Sequence, residues 1–544
     1  MWFSVPLVTA ESLMFFSSIL MIINFWSTKV LPVTAPIHYV SEMDKSVTFN
    51  DDRPISIDLF ITSYNEDLAV VEDTIIDAKR INYPYREVKL NIHLCDDGCR
   101  DGRDLNKDNF KKLTRKYNIN YFVREDNKGF KAGNLNNAFW QTDGDLIVIL
   151  DADTRLFPNF LVNLTGYFRD EKMAWVQSPQ WFYDIPEGIS LKDKLIRLIG
   201  KPGRLISKFI PYSDKIRFGK DLYGTDPQIF YDSILRHRNS SNAAFCCGAG
   251  SIHRRKALEQ LILNKTKRLQ ELNSHLKINP EKIKKKNLLP DNKTGMIVGP
   301  FVHHISEDIY TSVLQHSDKN KWKSYQHPNV ECKMLSPQTL HSYTKQYSRY
   351  AEGTYDLFFS KENPLFKRGL SIRQRLAYME TIYSYFSPLW ILIFLLSPIV
   401  FFFTLTPPIK AFNFDFFIRF LTFIFLNLFI STIGNWGIST KRSEQYYIAG
   451  IWIKLRALIK IIFRRTLQFN PTTKSIAQES LTKNIKLILP HLIIMFLTFI
   501  GFVYNLYLSY KNLHPSYSSF FANSLWSFYN MYQINPIIRA ALKK

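Results

Sequence analysis

Between Thr381 and Thr406 the chain runs for 26 residues without a single ionisable side chain other than two tyrosines. A helix rises about 1.5 Å per residue, so this run is long enough to cross the roughly 30 Å hydrocarbon core of a bilayer. Part of the chain is therefore expected to fold in lipid, where only helices or closed barrels satisfy every backbone group. Four further apolar stretches accompany it: Ser12–Trp26, extended upstream by Val5–Ala10 with only Glu11 charged, Phe416–Ile438, Leu487–Leu508 and Ser516–Tyr532. The last is short, and an interfacial helix competes with a span there.

Basic residues orient these segments. The connection Lys441–Lys486 carries ten Lys and Arg, whereas Pro407–Phe414 carries one Lys. The positive-inside rule makes the former cytoplasmic. Alternation then places the N-terminus outside and both Ser27–Glu380 and Arg539–Lys544 inside. The first segment has no basic n-region and no clear small-residue cleavage site, so an uncleaved span is expected rather than a signal peptide. The net charge of +23 comes with no zinc-finger spacing, RNA-binding signature or basic coiled-coil region. Attraction to anionic lipid explains it without nucleic acid. The five cysteines form no C-x-x-C pair, and reduced cytosolic thiols are expected.

The region after Ile57 alternates between period-2 and helical patterns. Strands are expected at Ile57–Thr62, Val88–Leu94, Asn120–Val123 and into Asp151, with helices near Leu68–Ile81, Leu105–Tyr117 and Asn134–Trp140. Such alternation implies a doubly wound, parallel α/β sheet. In Asp145-Leu-Ile-Val-Ile-Leu-Asp151-Ala-Asp153 a buried strand ends in two carboxylates. Ligands of open α/β sheets bind beyond the carboxyl ends of the strands. One or two carboxylates suffice for Mg²⁺ or Mn²⁺ when phosphate and water complete the shell. Thr62-Ser-Tyr-Asn-Glu66 and Asp96-Asp97-Gly98 end two neighbouring strands, and Lys128–Asn137 suits a loop opening a helix that attracts phosphate.

In order along the chain, Thr62-Ser-Tyr-Asn-Glu66, Asp96-Asp-Gly98, Lys131-Ala-Gly-Asn-Leu-Asn136, Asp151-Ala-Asp153, Phe245-Cys-Cys-Gly248, Ser306-Glu-Asp308, Gln346-Tyr-Ser-Arg349-Tyr350 and Asn363–Leu370 resemble the processive family 2 glycosyltransferases, above all cellulose synthase catalytic subunits. The resemblance implies a GT-A type nucleotide-diphospho-sugar transferase fold, α/β with a parallel mixed sheet, joined to an α-helical transmembrane region. It assigns Thr62, Tyr64, Glu66, Asp96, Asp97 and Asp151 to the donor nucleotide. Asp153, with Asp151, would hold Mg²⁺, or Mn²⁺ in its place. Asp308 stands where the general base stands, and Lys131 and Arg349 would offset charge on departing UDP. Phe245, Cys247, Gly248, Gln346 and Tyr350 fall on the acceptor side. Phe469-Asn-Pro-Thr472-Thr-Lys474 is similar to the family's gating loop, with Thr472 and Lys474 reaching the donor.

Two departures bear on the product: Tyr350 stands where most cellulose-type enzymes have Trp, and Phe-Cys-Cys-Gly replaces Phe-Phe-Cys-Gly. The resemblance implies the following boundaries: an N-terminal transmembrane helix at 1–30, a cytoplasmic catalytic domain at 50–350 with a basic insertion at 261–295, and amphipathic interface helices at 351–380. A transmembrane pair at 381–438, an interfacial helix and gating loop at 450–480, and a second pair at 485–535 follow. The insertion is expected to be a solvated excursion, and no room is expected for a cyclic-di-GMP-binding PilZ domain. The expected activity is inverting, processive synthesis of a β-glucan, β-1,4 favoured, from UDP-glucose, with export across the inner membrane. Its partners would be the UDP-sugar, the growing polysaccharide, the lipid bilayer and an outer or periplasmic collector of polymer. A β-1,3- or mixed-linkage glucan, another UDP- or GDP-sugar polymer, single transfer to a lipid carrier and an inactive scaffold are the alternatives.

Overall fold

The computed structural model of the chain describes residues 3–98, 107–124, 127–185, 188–210, 213–214, 217–218, 223, 227–272, 298–407, 414–435, 438, 440–463 and 481–542. Twelve strands occur among them: β1 Ser56–Ser63, β2 Lys89–Asp96, β3 Asn120–Val123, β4 Leu146–Asp151, β5 Arg155–Leu156, β6 Met173–Gln177, β7 Gln180–Phe182, β8 Ile189–Ser190, β9 Arg217–Phe218, β10 Ser251–Arg254, β11 Lys323–Gln326 and β12 Cys332–Met334. Seven form the main sheet in the order β11-β6-β10-β4-β1-β2-β3. β1 runs parallel to both β2 and β4, and β3 parallel to β2. This is the GT-A type mixed sheet, parallel at its centre.

Side-chain alternation explains why β4 reads as one apolar run. Leu146, Val148 and Leu150 pack with Ile57, Leu59 and Ile61 on one face. Ile147 and Ile149 pack with Phe60, Leu135 and Leu258 on the other. Both faces of the sheet are covered, so a period-2 polar signal is absent.

One strand breaks the parallel order and matters for function. β10 lies between β4 and β6 and is antiparallel to both. Its first residue, Ser251, therefore pairs with Ile149 and Gln177 near the carboxyl ends of those strands. The loop that precedes it, Phe245–Gly250, is thereby delivered to the same rim as Asp151.

Two expectations are corrected. The helix expected from Asn134 begins at Phe130, because Gly129 adopts φ +75° and turns the chain one helical turn earlier. Gly133 has to be glycine for a second reason: a Cβ would come within 2.2 Å of the Lys128 carbonyl and 2.3 Å of Arg124 Nη1. The basic excursion expected from Leu261 starts inside the Arg255–Leu272 helix. Leu258, Leu261, Ile262 and Thr266 are buried there, Leu258 and Ile262 against the sheet, while Lys256, Lys267 and Arg268 are exposed. The remainder of that stretch, from residue 273 to 297, lies outside the described residues.

Among the described residues, three helical stretches are long and apolar enough to cross a membrane: Ser4–Phe25, Ile372–Thr404 and Leu481–Tyr510. Their surfaces fit lipid better than water, with Phe496 and Phe499 each 63% exposed on the last. The stretch expected at Phe416–Ile438 falls on the Phe414–Gly434 helix, and Ser516–Tyr532 falls, from Tyr517 on, in a helix that continues to Leu542. Amphipathic helices Leu340–Phe359 and Ile451–Ile462 pack side by side and against the span-length stretches Ile372–Thr404 and Leu481–Tyr510. The Glu352 carboxylate ties them, accepting from Lys460 Nζ at 2.7 Å and Ser348 Oγ at 3.0 Å.

Candidate active site

β4 ends because Thr154 turns the chain back on it. The Thr154 hydroxyl accepts the Asp151 N–H at 3.0 Å, and the Thr154 N–H donates to the Asp151 carbonyl at 3.0 Å. That turn presents two carboxylates in unlike surroundings. Asp151 has 41% of its side chain exposed and is ion-paired with Lys131. Asp153 is fully buried, and its Oδ2 accepts the Leu335 N–H at 2.9 Å. Thr62, paired with Asp151 across the sheet, donates to the Leu150 carbonyl at 3.0 Å.

The neighbouring strand end is organised around an arginine that motif reading missed. Arg124 grips Asp97 with two parallel hydrogen bonds of 2.6 and 2.7 Å, while also donating to the carbonyls of Lys128 at 2.6 Å and Phe130 at 2.9 Å. This fork fixes the start of the Lys131 helix against the β2 end. Asp96 is buried, and Tyr121 donates to it at 2.7 Å. The Glu66 carboxylate folds back to accept the Tyr64 N–H and the Ser63 hydroxyl. A buried charge pair that loses one partner leaves the other uncompensated. Arg124→Met is accordingly expected to destabilise the catalytic domain by about 3 kcal/mol, visible as a cooperative midpoint shift in denaturant; an unchanged midpoint would show that the fork does not brace this rim.

Opposite lies the start of the Glu307–His316 helix. Negative charge is favoured at a helix N-terminus, but burial opposes it here. The Glu307 carboxyl is raised, by burial first and then by the charge of Asp308; Asp308 is raised as well, mainly by burial, and Lys131 partly offsets both. For Lys131, burial disfavours the charge, yet Asp151, Glu307 and Asp308 outweigh it and the ammonium is held above its ordinary range. Gly248, at φ +85°, separates these groups. A Cβ there would lie 3.4 Å from Lys131 Nζ and 3.9 Å from Asp308 Oδ2.

The acceptor-side residues divide. Gly248 lies between Lys131 and Asp308, and the Cys247 N–H donates to Gln177 Oε1 at 2.9 Å. Phe245 is instead a core residue, its ring 6.2 Å from Tyr378 and 5.4 Å from the Arg238 guanidinium. Gln346, Arg349 and Tyr350 all lie on the Leu340–Phe359 helix. Tyr350 is 42% exposed and lies within electrostatic reach of Asp308 and Asp151. Thr472 and Lys474 lie outside the described residues. Gly353, one turn beyond Tyr350, carries no motif signal, yet a Cβ on it would fall 1.9 Å from Ser306 Oγ. Gly353→Val is expected to cost about 1–3 kcal/mol through overpacking and to lower turnover further by displacing the Glu307–Asp308 turn; an assay normalised to folded protein separates the two effects.

A divalent cation fits the Asp151–Asp153 pair by its donor chemistry. Among the described residues no three His, Cys, Asp or Glu side chains converge as a closed metal cage. An ion here would draw on one or two carboxylates, with phosphate and water completing its shell, as Mg²⁺ prefers.

Comparison with known proteins agrees with this architecture. Residues 58–262 match the glycosyl transferase family 2 model, and residues 289–544 match the cellulose synthase model. The UDP-forming cellulose synthase catalytic subunit of Pseudomonas fluorescens (strain SBW25) is 26% identical over 402 residues, covering 74% of this chain and 43% of that protein. The UDP-forming cellulose synthase 1 catalytic subunit of Komagataeibacter xylinus is 24% identical over 498 residues, covering 90% of this chain and 56% of the relative. The chain thus spans about half the length of these relatives. Among solved structures, the mannosyltransferase PcManGT of Pyrobaculum calidifontis, in complex with GDP-Man and Mn²⁺, aligns over 85% of this chain and all of its own at 13% identity and a TM-score of 0.45. With three span-length apolar helices among the described residues and such relatives, the chain is an integral membrane protein.

Proposed function

We propose, from the premise that this chain belongs to the family 2 glycosyltransferases of the cellulose synthase kind, that it is a processive, inverting polysaccharide synthase. It extends a β-glucan from UDP-glucose on the cytoplasmic side of the cell membrane and passes the polymer outward through its spans. The observation that carries this reading is the grouping of Lys131, Asp151, Glu307 and Asp308 around Gly248, at the rim where β1, β2 and β4 end. Asp308 takes the proton from the acceptor hydroxyl. A carboxylate with a raised pKa is a better base for that step than an ordinary one. The oxygen then displaces UDP in line, so one displacement inverts the anomeric centre without a covalent sugar intermediate.

Lys131 and Arg349 offset charge on the leaving diphosphate, an effect strengthened in a water-poor site. Asp153 and Asp151 would hold Mg²⁺ or Mn²⁺, which supplies further neutralisation of the diphosphate. In this structure Lys131 occupies the carboxylate of Asp151, so donor binding replaces that ion pair with contacts to phosphate. Thr62, Tyr64 and Glu66 border the nucleotide, while Asp96 and Asp97, both buried, shape its floor. Tyr350 offers a flat face with a polar edge to the terminal sugar, and Gln346, one turn earlier, borders the same acceptor path. Thr472 and Lys474 are assigned to closing over bound donor.

A second reading keeps the machine and changes the product. Tyr350 and Cys246 both differ from the cellulose-type pattern on the acceptor side, which weakens the case for β-1,4-glucan and leaves a β-1,3- or mixed-linkage glucan or another sugar as the alternative product. Membrane vesicles offered UDP- and GDP-sugars with Mg²⁺ or Mn²⁺, followed by linkage analysis, decide between them. UDP release without polymer would defeat processivity, and selective use of a GDP-sugar would replace the donor.

The pH dependence follows from the raised Asp308–Glu307 pair. The base works only when ionised, so turnover falls as pH drops through the raised value. The acid limb of kcat is expected at a clearly higher pH than the ordinary carboxylate range near 4. An acid limb confined below pH 4.5 would contradict it.

A further inference from the structure

Two basic stretches far apart in sequence meet on the surface. The outward face of the Arg255–Leu272 helix brings Lys265 and Arg268, and the connection from 360 to 370 brings Lys361, Lys367 and Arg368, with Lys319 between them. They line a groove of about 550 Å³. Its shape is set by packing: Gly369, at φ +96°, lies so close to the 316–321 turn that a Cβ would fall 2.0 Å from the Ser317 carbonyl, and Lys321 donates to the Gly369 carbonyl at 2.8 Å.

Charge in the groove is unbalanced. Asp318 is the acid among its lining residues, and it is occupied by the Asn264 amide at 2.5 Å and the Asn320 N–H at 2.7 Å. Glu362 at the edge serves both Arg268 and Lys367. Lys319, Lys361 and Arg368 are exposed and have no ion-pair partner among the described residues. The same connection also exposes large apolar side chains: Phe366 at 74%, Ile372 at 75% and, at its upstream end, Phe359 at 56%. After Ile372 the helix runs on into the span-length stretch that ends at Thr404.

Exposed cations interleaved with exposed Phe and Ile, one connection upstream of a span, match the boundary between headgroups and acyl chains, where apolar side chains insert and basic ones meet anionic lipid. We infer that this groove binds the phosphate headgroup of an anionic phospholipid of the leaflet facing the catalytic domain, with Phe366 and Ile372 set against its acyl chains. The basic charge that no catalytic assignment absorbs thereby acquires a role: it seats the catalytic domain on the bilayer.

The test uses the full chain in zwitterionic detergent, titrated with dioctanoyl phosphatidylglycerol, dioctanoyl phosphatidylcholine or inorganic phosphate, with thermal unfolding as readout, since a ligand of the folded state raises the midpoint. Phosphatidylglycerol is expected to raise it saturably, phosphatidylcholine to leave it unchanged, and phosphate to need roughly tenfold higher concentration or more. Lys319→Gln/Lys361→Gln/Arg368→Gln should weaken the phosphatidylglycerol response at least about tenfold, while keeping the ligand-free midpoint. Should that triple variant fail to fold, the single Lys361→Glu variant takes its place with the same expected direction. Equal responses to the two lipids, or a folded variant that responds as the parent does, would overturn the inference. Phosphate matching phosphatidylglycerol would do so too, by making the groove a site for soluble phosphate.

Discussion

Asp308→Asn is expected to lower UDP release by roughly a hundred- to ten-thousand-fold, the contribution of a positioned general base, with little change in donor affinity. The argument rests on surroundings more than on the motif. Asp308 opens a helix, is largely buried, shares its pocket with Glu307 and faces Gly248 across a gap that a single methyl group would fill. Asparagine keeps the shape and the helix start but cannot accept a proton. Donor affinity is measured separately, by UDP titration of the folded variant. Release at the parental rate from the variant would remove Asp308 as the base and leave Glu307, its buried neighbour, to be tested in the same way.

Lys131→Met carries the second large expected effect, a loss of roughly a hundred- to a thousand-fold in kcat. Its ammonium lies among three carboxylates that keep it protonated, so in the proposed reaction it would meet the diphosphate as a permanent cation. A second consequence has a definite sign. Lys131 is the cation that lowers the Asp308–Glu307 pair, so without it both acids rise further and the acid limb of the residual activity moves to higher pH. A purely structural lysine would change folded yield and leave the limb where it is. Activity lost with an unmoved limb would therefore separate Lys131 from the base, and Lys131→Arg, which keeps the charge, should retain the parental limb.

Much of the catalytic region was legible because its signals are local. β3 was read to its ends, and β1, β2 and β4 to within two residues, since β4 is a continuous apolar run and β2 alternates polar with apolar residues, both strand signals carried by contiguous residues. The D-x-D turn announced itself the same way. Arg124 was not legible: its role depends on Asp97 and on two carbonyls several residues downstream, and no spacing rule links an arginine to a fork of that kind. Gly353 was hidden because its requirement comes from Ser306, 47 positions away and on another element. Phe245 was read as an acceptor contact from its motif, yet its ring is core, packed between Tyr378 and Arg238.

The sequence by itself determined that this chain lives partly in lipid, that it carries a doubly wound sheet, and which carboxylates end its strands. Length, periodicity and charge are properties of contiguous residues, and the helix, strand and span respond to them directly. Only the tertiary structure decided which of those groups meet. The antiparallel insertion of β10 brings Gly248 to the rim beside Lys131, and burial of the Glu307 helix start turns two ordinary acids into a raised pair beside a lysine held charged. Those effects are sums over neighbours distant in sequence, in a setting where burial sets the strength of every charge.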